Sequence, residues 1–269
     1  MTDIKAIDKQ YVANTYARFP VELVSGKGSL VYDEKGKEYI DMGSGIGVTA
    51  FGTADDEWQQ AVIAQLSKLQ HMSNLYYTQP GPKLAKELCT RTGMDKVFFG
   101  NSGAEANEAM IKLARKYSFD KYGKGRSTII TLNHSFHGRT MATITATGQP
   151  HYHTYFFPFV EDFRYADPTL ESIQAQGGDD VCAVMVELIQ GEGGVRPLDK
   201  AMVQALAKLC QEKDWLLLVD GSRPVSAGPA PCLPTSSLTS SPMWSPSPKA
   251  SPVACRWAVF WPPRSAQPY

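Results

Sequence analysis

Four short segments carry residue types suited to chemistry. In Gly100-Asn101-Ser102-Gly103-Ala104-Glu105, Ser102 and Glu105 stand in the S-x-x-E spacing of a capping box that opens a helix. The small residues Gly103 and Ala104 leave the N–H groups of that first turn unhindered at the positive end of the helix dipole, which suits a phosphate. An ordinary capped helix has the same signature. His134-Ser135-Phe136-His137-Gly138-Arg139-Thr140 joins an aromatic ring that can stack on a flat cofactor to a guanidinium that can grip a carboxylate through two hydrogen bonds. A packed loop with a surface arginine is the plainer alternative. Glu187 and Glu192 follow an apolar stretch in Val186-Glu187-Leu188-Ile189-Gln190-Gly191-Glu192-Gly193-Gly194. They are either acid–base groups or partners of cations, the latter favoured for Glu192. Asp220 closes the apolar run Leu216-Leu217-Leu218-Val219, where a carboxylate either holds a protonated ring nitrogen or caps the strand end. His71, His151 and His153 lack supporting ligands, so no metal site is indicated.

These segments need elements to position them. Residues 28–42 read as a β-hairpin with its turn at Asp33–Gly36. Residues 56–70 read as a helix with Trp58, Val62, Leu66 and Leu69 on one face, and residues 82–93 as a second helix closed by Gly93. A short buried strand at 96–100 leads into the helix opened by Ser102, whose buried stripe is Ala109, Met110, Leu113, Ala114 and Tyr117. Strands at 127–132 and 181–188, a helix at 200–213 and a strand at 216–220 complete the alternation. Such alternation indicates an α/β fold, a mostly parallel sheet covered on both faces. Each glycine-rich turn follows the carboxyl end of a strand, where open α/β sheets bind ligands.

Composition excludes other classes. The formal net charge is zero, so nothing points to a nucleic-acid or anionic-membrane partner. No apolar run approaches the roughly 20 residues of a membrane span, and the first residues lack the apolar core of a signal peptide. The five cysteines are scattered without CxxC spacing, which fits reduced thiols in a cytoplasmic protein.

Taken together, NSGAEANEAMIKLARKY, FHGRT with ATGQP after it, and VELIQGEGGV resemble the class III pyridoxal-phosphate aminotransferases over residues 11–220. Leu188, where the family usually has proline, and Thr53, where histidine is common, are small departures. The resemblance implies the fold type I transferase architecture, with 1–50 forming part of a small domain and 51–220 the cofactor-binding large domain. It implies pyridoxal 5'-phosphate as cofactor, with Ser102, Gly103 and Ala104 on its phosphate, Phe136 on its ring and Asp220 on its ring nitrogen. Arg139 would hold the substrate carboxylate, and Glu192 would pair with an arginine located C-terminal to this sequence. The implied reaction passes an amine from a small-molecule donor to 2-oxoglutarate. Within the family the chain is most similar to members that act on N-acetylornithine in arginine biosynthesis, with those acting on ornithine, succinylornithine or 4-aminobutyrate as alternatives. Family members are homodimers, which is carried over only to a frame-restored protein.

The resemblance breaks after Asp220. Residues 221–269 hold 11 of the 18 prolines and 10 serines, with no aspartate or glutamate. Taken at face value they form a disordered, low-complexity tail. The family instead continues with a QTG-x-GRTG segment and, about 29 residues past the aspartate, with the lysine that binds the cofactor covalently. Codons for Gly221–Thr235, read from their third base, yield FQTGVGRTGTLFAY. Codons across 241–261 yield, in that same frame, PDVVTVAKGIAGGLPMGGFL. The tail is therefore read as aberrant, out of frame after the loss of one base, and the chain as C-terminally incomplete and inactive. Lys249, 29 residues after Asp220, occupies the family position of the catalytic lysine in the wrong sequence context. A non-catalytic product of a frameshifted gene is the reading of another class.

Overall fold

The computed structural model describes residues 3–92, 94–221, 243–246 and 256–260. The chain divides into two compact units, Met1–Tyr77 and Thr78–Tyr269.

In the first unit, helix α1 (Ile4–Tyr11) starts where Asp3 accepts a hydrogen bond from Ala6 N. Strands β1 (Leu23–Lys27), β2 (Leu30–Asp33) and β3 (Glu38–Ile40) form an antiparallel sheet in that order. The β2–β3 hairpin is the expected one. Asp33 Oδ1 accepts from Lys35 N and Lys37 N at the turn, and Gly36 supplies the positive φ of 77°. Strand β1 had no sequence signal: its residues are mostly exposed and do not alternate. A one-turn helix, α2 (Ser44–Gly47), precedes α3 (Asp56–Leu66), which is capped by Asp55. Helix α3 stops four residues short of the expected end at 70. Leu66 and Leu69 lie 50% and 39% exposed, so only Trp58 and Val62 of the expected stripe are even half-buried.

The second unit begins with α4 (Pro80–Thr92) and β4 (Lys96–Gly100), followed by α5 (Gly103–Tyr122), β5 (Thr128–Leu132) and α6 (Met141–Ala146). A 3-10 turn at Pro150–His153 leads to β6 (Phe163–Ala166), α7 (Leu170–Ala175), β7 (Val181–Glu187), β8 (Ile189–Gln190) and β9 (Arg196–Pro197). Helix α8 (Lys200–Lys213), capped by Asp199, leads into β10 (Leu216–Asp220). Gly93, expected to close α4, lies outside the described residues. The main sheet runs β4-β12-β11-β10-β7-β5-β6, where β11 (Met243–Pro246) and β12 (Arg256–Phe260) lie within the proline-rich tail. Strands β6, β5, β7, β10 and β11 are parallel, and β12 runs antiparallel to both its neighbours. Both strands fall inside the stretch whose composition is of low complexity. Strand β4 corrects one expectation: it is not buried. It sits at the edge of the sheet, paired among the described residues with β12, and Phe98 is 44% and Phe99 37% exposed.

Strand alternation splits the core into two layers. Ile130, Leu132, Val184, Val186, Leu217 and Val219 face Ile173 of α7 and Val203, Leu206, Leu209 and Cys210 of α8. The intervening residues Ile129, Ala183, Met185, Leu216 and Leu218 face Ala106, Met110, Ile111 and Ala114 of α5. Both faces of the sheet are thus covered, as parallel strands require.

Candidate active site

The two-residue period that builds these layers also places the chemistry. On β10, Leu216 and Leu218 face α5, so Asp220 faces the same way at the strand's carboxyl end. On β7 the same parity carries Ala183, Met185 and then Glu187, which stands in register with Asp220. Both carboxyl groups are buried, at 1% and 3% exposure. Opposite them α5 presents Asn107, whose Nδ2 donates to Asp220 Oδ2 at 2.8 Å. The loop after β5 brings His137, whose Nδ1 lies 2.9 Å from the same oxygen. With Asp220 ionised, Nδ1 is the donor. Phe136 N donates to Glu187 Oε2 at 2.9 Å. Burial pushes the Glu187 carboxyl up to about 7; the Asp220 charge adds to the rise, and His137 and two backbone N–H groups oppose it.

The loop from 133 to 140 is pinned on several sides. His134 N donates to Gly148 O, Gly148 N to Ser135 Oγ, and His137 N to Thr147 Oγ1. A Cβ on Gly193 would stand 2.4 Å from His134 O, so the turn after β8 packs directly on this loop. Gly138 has φ +137°, and a Cβ there would lie 2.6 Å from Thr143 Oγ1 and 2.8 Å from Ala104 Cβ. The loop and the first turn of α5 are therefore in contact. Gly138→Ala should cost about 2 kcal/mol or more of stability, from a backbone region closed to side chains and from the clash. Urea unfolding of the variant measures this, and an unchanged midpoint would refute it.

The predicted residues fall as follows. Ser102 caps α5, with Oγ accepting from Glu105 N at 3.0 Å. The return arm of the expected capping box lands one residue early, as Glu105 Oε2 accepts from Asn101 N. Gly103 is buried and Ala104 half-buried beside Gly138. Phe136 is half-buried with its ring 5.5 Å from that of Tyr152, and the exposed Arg139 guanidinium lies 5.8 Å over the same Tyr152 ring. Glu192 is exposed in the turn after β8. Lys249 lies outside the described residues. Asp220 and Glu187 are thus brought together, with the 136–139 loop and the α5 start closing one side. Sequence reasoning missed the partners of Asp220. The available signal was Asn107 itself, a polar residue on the helical stripe shared with Met110, Ile111 and Ala114.

Two polar atoms of the site are left unsatisfied. Asn107 Oδ1 and His137 Nε2 are buried without a hydrogen-bond partner among the described residues, a condition that native interiors rarely tolerate. The α5 start, the ring of Phe136 and the buried anion of Asp220 together fit an anionic, flat, basic-nitrogen cofactor. No acidic, histidine or cysteine cluster suited to a metal is present among the described residues. Burial pushes the thiols of Cys182 and Cys210 up to about 12, so neither serves as a nucleophile. A cavity of about 650 Å³ among Tyr122, Lys124, Lys213 and Trp215 lies at the opposite, amino end of the strands and takes no part.

Solved structures place this architecture among the aminotransferases. The ornithine aminotransferase of Toxoplasma gondii ME49 matches with TM-score 0.83 at 26% identity, over 96% of this chain and 62% of that one. The N-acetylornithine aminotransferase of Stenotrophomonas maltophilia K279a matches with TM-score 0.73 at 28% identity, over 96% of this chain and 65% of that one. Residues 11–222 match the class-III aminotransferase family, and the chain belongs to it. An acetylornithine aminotransferase of Haemophilus ducreyi is 52% identical over 219 residues, which is 81% of this chain and 56% of the relative. The chain thus spans about half the length of the curated relatives it matches. No helix among the described residues is long and apolar enough to cross a membrane.

Proposed function

We propose that the site serves pyridoxal-phosphate-dependent transamination in the cytoplasm, with N-acetylornithine as amino donor and 2-oxoglutarate as acceptor. The observation that carries this reading is Asp220, a buried carboxylate held by two donors at the carboxyl end of a parallel sheet. Ser102, Gly103 and Ala104 offer the positive end of α5 to the cofactor phosphate. Phe136 clamps the ring face, and Asp220 holds a proton on the ring nitrogen. Arg139 grips the substrate carboxylate, and Glu192 corresponds to the glutamate that pairs with an arginine in the family. When bound, pyridoxal phosphate supplies an electron sink for the substrate carbon. The donor choice is supported by the 44–52% identity to three acetylornithine aminotransferases. The exposed run Tyr155, Phe156 and Phe157, at 58–70%, supports a homodimer once the frame is restored.

The same reading includes the tail. The family match ends at residue 222, two residues past Asp220, where the alternate codon frame takes up the family's own segments. Residues 221–269 are then out of frame, and the chain as written is inactive. The donor is tested on the frame-restored protein with N-acetylornithine, ornithine, succinylornithine and 4-aminobutyrate, each with 2-oxoglutarate. N-acetylornithine should exceed the others in kcat/KM by about tenfold or more. Glutamate from none of the four would reject transamination, and preference for another donor would reassign the substrate.

A further inference from the structure

Asp220 is gripped by two side chains to which no role has yet fallen. Asn107 comes from α5 and His137 from the loop after β5, and both converge on Asp220 Oδ2. The second amide hydrogen of Asn107 goes to the His137 carbonyl at 2.6 Å. One amide therefore ties helix, loop and strand together. All three residues are buried, Asn107 at 1%, His137 at 2% and Asp220 at 1% exposure. The amide orientation follows from chemistry, since a flipped Asn107 would set its oxygen against a carboxylate and a carbonyl.

From this geometry we infer that Asn107 is a positioning residue of the cofactor site, holding Asp220, together with His137, in one rotamer and in its ionised form. The inference rests on the reading that Asp220 meets the ring nitrogen of pyridoxal phosphate. Two donors on one oxygen favour the charged carboxylate in a dry site, and rotation of the carboxylate would break both bonds. Such support is needed because Glu187, in register on β7, is a second carboxyl group on the same face of the sheet. Leucine at 107 keeps the volume and removes the donor. Aspartate at 107 replaces the donor with an acceptor 2.8 Å from Asp220, so that the two must share a proton.

Pyridoxal phosphate is titrated into the 269-residue chain, Asn107→Leu and Asn107→Asp, with binding read by fluorescence and the bound cofactor by its absorption band. Asn107→Leu should fold, as judged by circular dichroism, and bind about 10- to 100-fold more weakly, the usual range for supporting residues around a site. Its absorption band should shift as ring protonation is lost, a change that a merely structural role would not cause. Asn107→Asp should lose more affinity still. A folded leucine variant with the parent's affinity and band overturns the inference. If the parent itself does not bind, the cofactor reading fails separately. A double-mutant cycle of Asn107→Leu with Asp220→Asn in the cofactor-free chain then decides: coupled unfolding midpoints support the pairing, and additive ones overturn it. If the leucine variant does not fold, Asn107→Ser replaces it in both measurements, since a hydroxyl keeps the site polar but cannot reach both acceptors.

Discussion

Adding one base after the Asp220 codon should raise transaminase turnover from undetectable to readily measured, a gain of at least about 10²–10⁴-fold. That range is what a positioned acid–base group contributes, and in the proposed frame that group is the lysine of PDVVTVAKGIAGG. The written chain does carry Lys249 at the same distance from Asp220, but flanked by Ser247, Pro248, Ala250 and Ser251 rather than by the family's residues. The comparison needs two proteins made side by side, one as written and one with the added base, assayed for glutamate from N-acetylornithine and 2-oxoglutarate. Equal turnover by both would show that the tail is functional as written. A restored protein that binds pyridoxal phosphate but forms no glutamate would show that the alternate frame is not the missing segment. Sequencing across the Asp220 codon adds an independent check, because the proposed slip requires the base to be present in an intact copy of the gene.

The parts of this molecule legible in its sequence are those where one period dominates. Strands β7 and β10 are unbroken apolar runs up to their terminal carboxylates and β5 is interrupted only by threonines, and the burial of every residue in them follows from a parallel sheet covered on both faces. The carboxylates at their ends were legible for the same reason, since a charged residue after four to six apolar ones marks the point where a strand leaves the core. Elements with mixed signals were misread. Strand β4 has an apolar sequence, Val97-Phe98-Phe99, yet lies at an edge with both phenylalanines well exposed, because local composition does not say how many neighbours a strand has. Strand β6, Phe163–Ala166, was missed because Arg164 and Tyr165 interrupt its hydrophobicity. Arg164 is accommodated by hydrogen bonds to Gln176 O and Asp180. The site was legible as a set of segments but not as a network. Asn107 and His137 meet Asp220 across 113 and 83 residues, and nothing local to any of the three encodes those contacts.

Replacing Glu187 with glutamine should make stability independent of a titration that penalises the parent above neutral pH. The Glu187 carboxyl is lifted from an ordinary 4.5 to about 7, first by burial and then by the neighbouring Asp220 charge, against the pull of His137 and the N–H groups of Phe136 and Gly191. In the folded state the proton is therefore held over a range in which the unfolded chain has already lost it. The folded form binds more protons between these two values, so stability falls as pH rises through that window. Its contribution is complete below about 4.5 and gone above about 7. At about 1.4 kcal/mol per unit the whole window amounts to about 3 kcal/mol. The glutamine side chain keeps an oxygen to accept from Phe136 N, so the loop anchor at 2.9 Å survives the exchange. Parent and Glu187→Gln should accordingly differ little near pH 4.5 and diverge steadily to pH 8, with the glutamine form the more stable by up to about 3 kcal/mol. Urea unfolding at a series of pH values measures the difference directly. Parallel curves, or a parent that gains stability relative to the variant as pH rises, would mean that Glu187 is ionised in the folded chain. The site would then hold two charges on adjacent strands.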